Sequence, residues 1–323
     1  MEDKAIKCAK KIIFDQIRTG LLSSPGGVFN DYQKTYYQTN ENINFYIGLS
    51  NVSRNSEALT VLSSGDHAFN LVTNGVRTID TFDINRLSEY IALGLKRAMV
   101  LKYNYYEYLI IDQKLRNYNI SLEELSDILT SLLPYMDKKH SMFWKGLIDY
   151  NYKLQKKKKA PLNLLYLICI SLISCRTHIN NNKYLTDDAY YDELRRNLGK
   201  ADINFKAIDA LDLPLEFNGR EFDVICLSNI LDYFVSYYGA FWSVQQFYNY
   251  VGELEKLTKN GGTIFVNYIF DKFDGYTHNT RVVRDSMVFE EEIEDEFKIV
   301  KVPVNGIETI EDGLVLKRVK KGK

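Results

Sequence analysis

Ala58-Leu59-Thr60-Val61-Leu62-Ser63-Ser64-Gly65 runs without a charge into a turn of three small residues. A short apolar run closed by a turn signal predicts a buried strand that leads into a loop. Ala68 to Val72 predicts the helix that follows. Val76 to Asp83 alternates apolar and polar residues and stops at an acid, which predicts a second strand. From Arg86 to Leu101, Leu87, Tyr90, Ile91, Leu95, Ala98 and Met99 recur at helical spacing. Strands that alternate with helices predict a mostly parallel sheet covered on both faces, a Rossmann-like doubly wound arrangement.

The same rhythm resumes far downstream. Ala201 to Ile208, Phe222 to Asn229 and Gly261 to Tyr268 read as strands, with a helix from Tyr248 to Thr258. Phe297 to Val304 and Gly313 to Val319 predict a closing pair, hence an antiparallel edge. Between the two halves the chain changes character. Ser121 and Glu124 have the spacing of a capping box, Leu122 to Leu133 supplies an apolar helical face, and Pro134 ends it. Leu162 to Cys175 and Asp188 to Leu198 read as further helices. Upstream, Lys4 to Leu21 has helical spacing and Ser23-Ser24-Pro25-Gly26-Gly27 breaks it. The expected organisation is an N-terminal helical arm or cap (1–55), a Rossmann-like core (56–102 and 199–323) and a helical insertion (103–198).

Of 323 residues, 46% are hydrophobic, which allows a sizeable core, and the net charge of -1 gives no electrostatic reason to expect nucleic acid as a partner. Cys8, Cys169, Cys175 and Cys226 form no CxxC pair, and His67, His140, His178 and His278 are too scattered for a metal-ligand spacing. The N-terminal segment has no signal-peptide core, and the most apolar stretch, Leu162 to Ser174, is shorter than the ~20 residues a membrane span needs. The expectation is a cytoplasmic protein without a transmembrane segment.

Ligands of open parallel sheets bind at the carboxyl ends of the strands. The first strand ends in Ser63-Ser64-Gly65-Asp66, small enough for a ligand to approach the backbone. The second ends in Asp83, followed by Ile84 and Asn85, and an acid about 20 residues after a glycine turn suits ribose hydroxyls. The third ends in Asp209 with Ala210, placed to accept from an adenine amino group. The fourth ends in Ser228-Asn229, facing the reacting end of the ligand. No GxxxxGK[ST] is present, and the first turn lacks a full GxGxxG. S-adenosylmethionine has no phosphate, so a looser turn suffices for it. Asp232 and Tyr233 are the candidates for orienting an acceptor. A dinucleotide-dependent oxidoreductase and a non-catalytic sensor on the same fold are the competing readings.

Thr60 to Tyr103 also resembles the S-adenosylmethionine:diacylglycerol 3-amino-3-carboxypropyltransferases of betaine-lipid synthesis and their bacterial relatives, within the class I methyltransferase fold. The family's Ser-x-Gly-x-x-x-x-Asn-x-Leu turn and Asp-x-Asn are matched by Ser63, Gly65, Asn70, Leu71, Asp83 and Asn85, and a helix lysine by Lys96. Gln38-Thr39-Asn40-Glu41-Asn42 is similar to a Gln-x-Trp-Glu-Asp motif, retaining Gln38 and Glu41. Leu227 to Tyr233 is similar to the family's fourth-strand motif, and Asn260-Gly261-Gly262 to the turn before strand five. The resemblance implies S-adenosylmethionine as cofactor, an arm carrying Gln38 and Glu41 over it, and a small-molecule or lipid acceptor receiving a methyl or aminocarboxypropyl group.

Overall fold

In a computed structural model that describes residues 3–19, 32, 35–39, 41–117, 119–169, 181–228, 244–269, 298–304 and 307–322, the opening apolar run forms β1 (Glu57–Val61). It pairs in parallel with β2 (Thr78–Phe82) on one side and β4 (Phe222–Cys226) on the other. β3 (Asp202–Lys206) adds in parallel beyond β2, and β5 (Thr258–Ile269) in parallel beyond β4. The chain's last strands, β6 (Lys298–Val304) and β7 (Ile307–Val319), pair antiparallel with each other, and β7 also lies antiparallel against β5. The sheet order is β3-β2-β1-β4-β5-β7-β6. Antiparallel pairing closes this end as expected; the strand that reverses is the last one, inserted next to the edge.

Because side chains alternate across a strand, each face of the sheet has its own core. Ala58, Ile79, Val224 and Phe265 share one face and join the helical layer. Leu59, Phe82, Ile225 and Ile264 share the other, packing with Val251 and Leu254 of α9 (Val244–Lys256, numbered in the series below). Two polar residues of β2, Asp80 and Thr81, are buried too. Thr81 donates to the Asn204 carbonyl at 2.7 Å, and Asp80 pairs with Arg220 at 2.6 Å, so central burial is bought with partners rather than with apolar side chains.

The other helices run in chain order as α1 (Lys4–Thr19), α2 (Ile43–Ile47), α3 (Asp66–Thr73), α4, α5 (Tyr105–Arg116), α6 (Leu122–Leu132), α7 (Lys138–Lys156) and α8 (Asp188–Leu198). Helix α4 joins Leu87–Glu89, a π-helical stretch Tyr90–Lys96 and Arg97–Lys102. The widened stretch is held from outside: Trp144 donates its indole N–H to the Tyr90 carbonyl at 3.0 Å.

Three elements differ from the sequence reading. The α-helix expected over Leu162 to Cys175 does not form in its described part: Leu164–Leu167 makes a short 3₁₀ turn capped by Asn163, then Ile168–Cys169 pairs in parallel with Thr35–Tyr36 of the arm, and 170–175 lie outside the described residues. Gly261-Gly262 lies inside β5 rather than before it, where Gly261 takes φ +79° and a Cβ on Gly262 would stand 2.8 Å from Thr258. Ser121 does cap α6, accepting from Glu124 N at 3.0 Å, but the Glu124 carboxylate turns to Lys114 at 2.6 Å. The reciprocal capping box sits instead at Asn104 and Glu107. No helix among the described residues is long and apolar enough to cross a membrane.

Candidate functional site

The register brings the predicted ligand positions to one edge. Val61 lies beside Phe82, Phe82 beside Lys206, and Thr60 beside Cys226. The turns beginning at Ser63, Asp83, Ala207 and Leu227 therefore leave the sheet together, at its carboxyl end.

The β1 turn needs glycine twice over. Gly65 has φ +85°, and a Cβ there would stand 2.8 Å from the Ala92 Cβ of α4. Asp83 clasps the two central strand ends: one oxygen accepts from Ser63 N at 3.1 Å, the other from Asn85 N at 2.9 Å. Burial pushes its carboxyl pKa up, against the lowering effect of Asn85, Ser88 and Ser63. A carboxylate with four acceptor sites keeps capacity beyond these bonds, as ribose hydroxyls require. Asn85 accepts from Leu87 N at 3.1 Å and starts α4, with Ile84 half-buried between the two polar residues. Asp209 accepts from Leu211 N at 3.0 Å, and the Ala210 carbonyl takes the Tyr250 hydroxyl at 2.8 Å, which fixes the third turn.

Asp66 is held by four donors. It is fully buried, with one oxygen taking Lys96 and Tyr184, each at 2.6 Å, and the other taking Thr39 N at 2.7 Å and the Ser64 hydroxyl at 2.8 Å. Lys96 also donates to the carbonyls of Tyr37 and Ser64. This buried ion pair locks the arm onto the β1 turn. Asn70 belongs to the same scaffold, tying Asp66 O to Asn182 and Lys183. Gln38, between the two locked residues Tyr37 and Thr39, is half-buried, and its amide oxygen is buried without a partner among the described residues.

Glu41 is held from the arm, α3 and the end of β4 together. It is buried, with one oxygen accepting from the Ser228 hydroxyl and the other from the Tyr46 hydroxyl at 3.0 Å; that second oxygen also lies 3.2 Å from His67 Nε2. Burial raises the Glu41 pKa, and His67, Ser228 and Tyr46 together outweigh it, so the net shift is downward. Ser228, at the end of β4, has φ +57°, a strained conformation for a residue with a Cβ that its bond to Glu41 helps to hold. Asn229, Asp232 and Tyr233 lie outside the described residues.

No family profile matches the chain, and no curated protein does. Solved structures with a similar course include the N-methyltransferase NodS from Bradyrhizobium japonicum (10% identity, 87% of this chain and 93% of that one, TM-score 0.35). The rRNA methyltransferase aviRa from Streptomyces viridochromogenes is another (11% identity, 99% and 94% covered, TM-score 0.37). The O-methyltransferase TomG from Streptomyces achromogenes is a third (11%, 99% and 91%, TM-score 0.35). Likenesses at this level carry no argument about activity, and the fold rests on the strand order.

Tyr46 and the Lys96 contact to Asp66 carry no signal in the sequence, and His67 appears there only as a side chain that could fill the pocket of a non-catalytic relative. His67 directly follows the turn Gly65-Asp66, the one local signal for it; Tyr46 reaches the site only because the arm folds back.

Proposed function

We propose that this protein is an S-adenosylmethionine-dependent transferase that moves a methyl or 3-amino-3-carboxypropyl group to a small-molecule or lipid acceptor. The observation that carries the reading is the clasp of Ser63, Gly65 and Asp83 at the centre of the sheet edge. The glycine gives the turn its left-handed bend and lets α4 pack against it, and a carboxylate with spare acceptor sites stands beside it. The strand order, with the last strand inserted antiparallel next to the edge, is the order of the class I methyltransferase fold that the resemblance implies. The lysine beneath the turn is spent on Asp66, which speaks against a pyrophosphate there and so against a dinucleotide.

Asp83 would hold the ribose hydroxyls, Asp209 and Ala210 the adenine edge, and the backbone of Ser63 to Gly65 the amino-acid end. Gln38 offers a ligand donor a buried oxygen that has no partner among the described residues. Ser228 and Asn229 would face the reacting end, with Asp232 and Tyr233 orienting the acceptor. When bound, the cofactor supplies a sulfonium-attached carbon whose leaving group is a neutral thioether. The protein's task is then to position a nucleophile and exclude water.

Calorimetric titration with S-adenosylmethionine, S-adenosylhomocysteine, methylthioadenosine and NAD tests this. Binding of the adenosyl sulfur compounds but not NAD is expected, and binding of NAD alone would refute it. Asp83→Ala should weaken S-adenosylhomocysteine about 10- to 100-fold, the worth of hydrogen bonds to a charged group. Release of S-adenosylhomocysteine or of methylthioadenosine on turnover identifies the group moved.

A further inference from the structure

His67 is 1% exposed and its Nδ1 has no hydrogen-bond partner among the described residues, while its Nε2 lies 2.7 Å from the Tyr46 hydroxyl and 3.2 Å from Glu41. An unsatisfied buried N–H is costlier than an unsatisfied acceptor, so the proton belongs on Nε2, where two oxygens face it. Nδ1 then carries a buried lone pair. A carboxylate behind one imidazole nitrogen fixes the tautomer and stabilises the cation formed when the other nitrogen takes a proton. The remaining neighbours do not compete for that proton. The Cys226 thiol is pushed far up by burial and by Glu41, and Asp66, one residue away, is paired with Lys96. Ser228 is bound to Glu41 from the end of β4, so the assembly sits between the ends of the two central strands, where the reacting end of the ligand is assigned.

Resting on the transferase reading above, we propose that His67 Nδ1 is the general base of the reaction, and that the acceptor is a protic nucleophile of hydroxyl or amine type that attacks only after losing its proton. As the acceptor's heteroatom bonds to the transferred carbon, the carbon–sulfur bond breaks and its electron pair stays on the neutral thioether. The acceptor's proton moves to Nδ1. The imidazolium so formed is balanced by Glu41 and releases its proton after the product leaves. Glu41 and Tyr46 are positioning residues, acting through the ring.

The test needs no acceptor. Nitrogen-15 NMR of the histidine-labelled full chain, assigned with His67→Gln, reads the tautomer directly. The expected result is a proton on Nε2 and a bare Nδ1 at neutral pH, with this preference lost in Glu41→Gln. With S-adenosylmethionine bound, the Nδ1 resonance should differ from that with S-adenosylhomocysteine, because a sulfonium beside the ring changes the field at a bare lone pair. Calorimetry should show S-adenosylhomocysteine affinity within about threefold of wild type in both variants, since neither residue holds the cofactor on this account. A proton on Nδ1, or an Nδ1 resonance that is the same with both ligands, would overturn the assignment. Failure of the wild type to bind either ligand would overturn the transferase reading itself, and the inference with it.

Discussion

Gly65 and the pair Asp66–Lys96 set the site's geometry from opposite sides. At position 65 an alanine would need a left-handed backbone and a place already taken by Ala92. Gly65→Ala should therefore cost about 2–4 kcal/mol in urea denaturation and reduce S-adenosylhomocysteine binding. Below the turn, Lys96 and Asp66 are both buried and joined at 2.6 Å. Removing either partner strands the other charge, so Lys96→Met should lose about 3–5 kcal/mol. Lys96→Met with Asp66→Asn together should recover part of that loss, which a double-mutant cycle measures. Of these residues the sequence showed Gly65, because its turn is local. Asp66 was visible as an acid in the right place, but its role was not, since the partners Thr39, Lys96 and Tyr184 come from three distant segments.

At the scale of elements, the helices α5 and α6 show how a local signal divides. Both have an amide or hydroxyl N-cap and a glutamate three residues on, yet only Asn104 and Glu107 close the reciprocal pair. Lys114 draws the Glu124 carboxylate away from Ser121. Asn104→Ala should cost about 1 kcal/mol, and Ser121→Ala less, both by thermal or urea unfolding. Core strands β1, β4 and β5 were legible from their apolar runs because both faces are buried. The segment 162–169 was not: a short apolar run has no period that separates a buried helix from a 3₁₀ turn followed by a strand. The choice was made by pairing with Thr35–Tyr36, remote in sequence.

Across the whole molecule, the arm 35–47 ties the sheet edge together and links stability to pH. The folded-state pKa of Glu41 lies below its unfolded value. Its stabilisation is thus fully present above the ordinary glutamate range and is lost as pH falls through the folded value. Asp83 and Asp112 act with the opposite sign: burial raises both, so the folded state penalises their charge at neutral pH and gains as pH falls through their raised values. Glu41→Gln should lower the urea midpoint at neutral pH, and its difference from wild type should shrink in acid. A difference that stays constant with pH would mean that the Glu41 charge contributes nothing to the closed arm.

The strand and helix alternation, the small-residue turn after β1 and the acid after β2 were determined by the sequence itself, because each rests on residues adjacent in the chain. The order of the strands, the placing of β7 inside the edge, the burial of Asp66 and the meeting of Glu41, Tyr46, His67 and Ser228 were decided by tertiary structure. The physical reason is range. Hydrophobic period and backbone sterics act over a few residues, whereas a buried charge takes whatever partner the fold delivers, and here some of those partners lie as far as 118 (Tyr184 from Asp66) and 187 (Ser228 from Glu41) residues away.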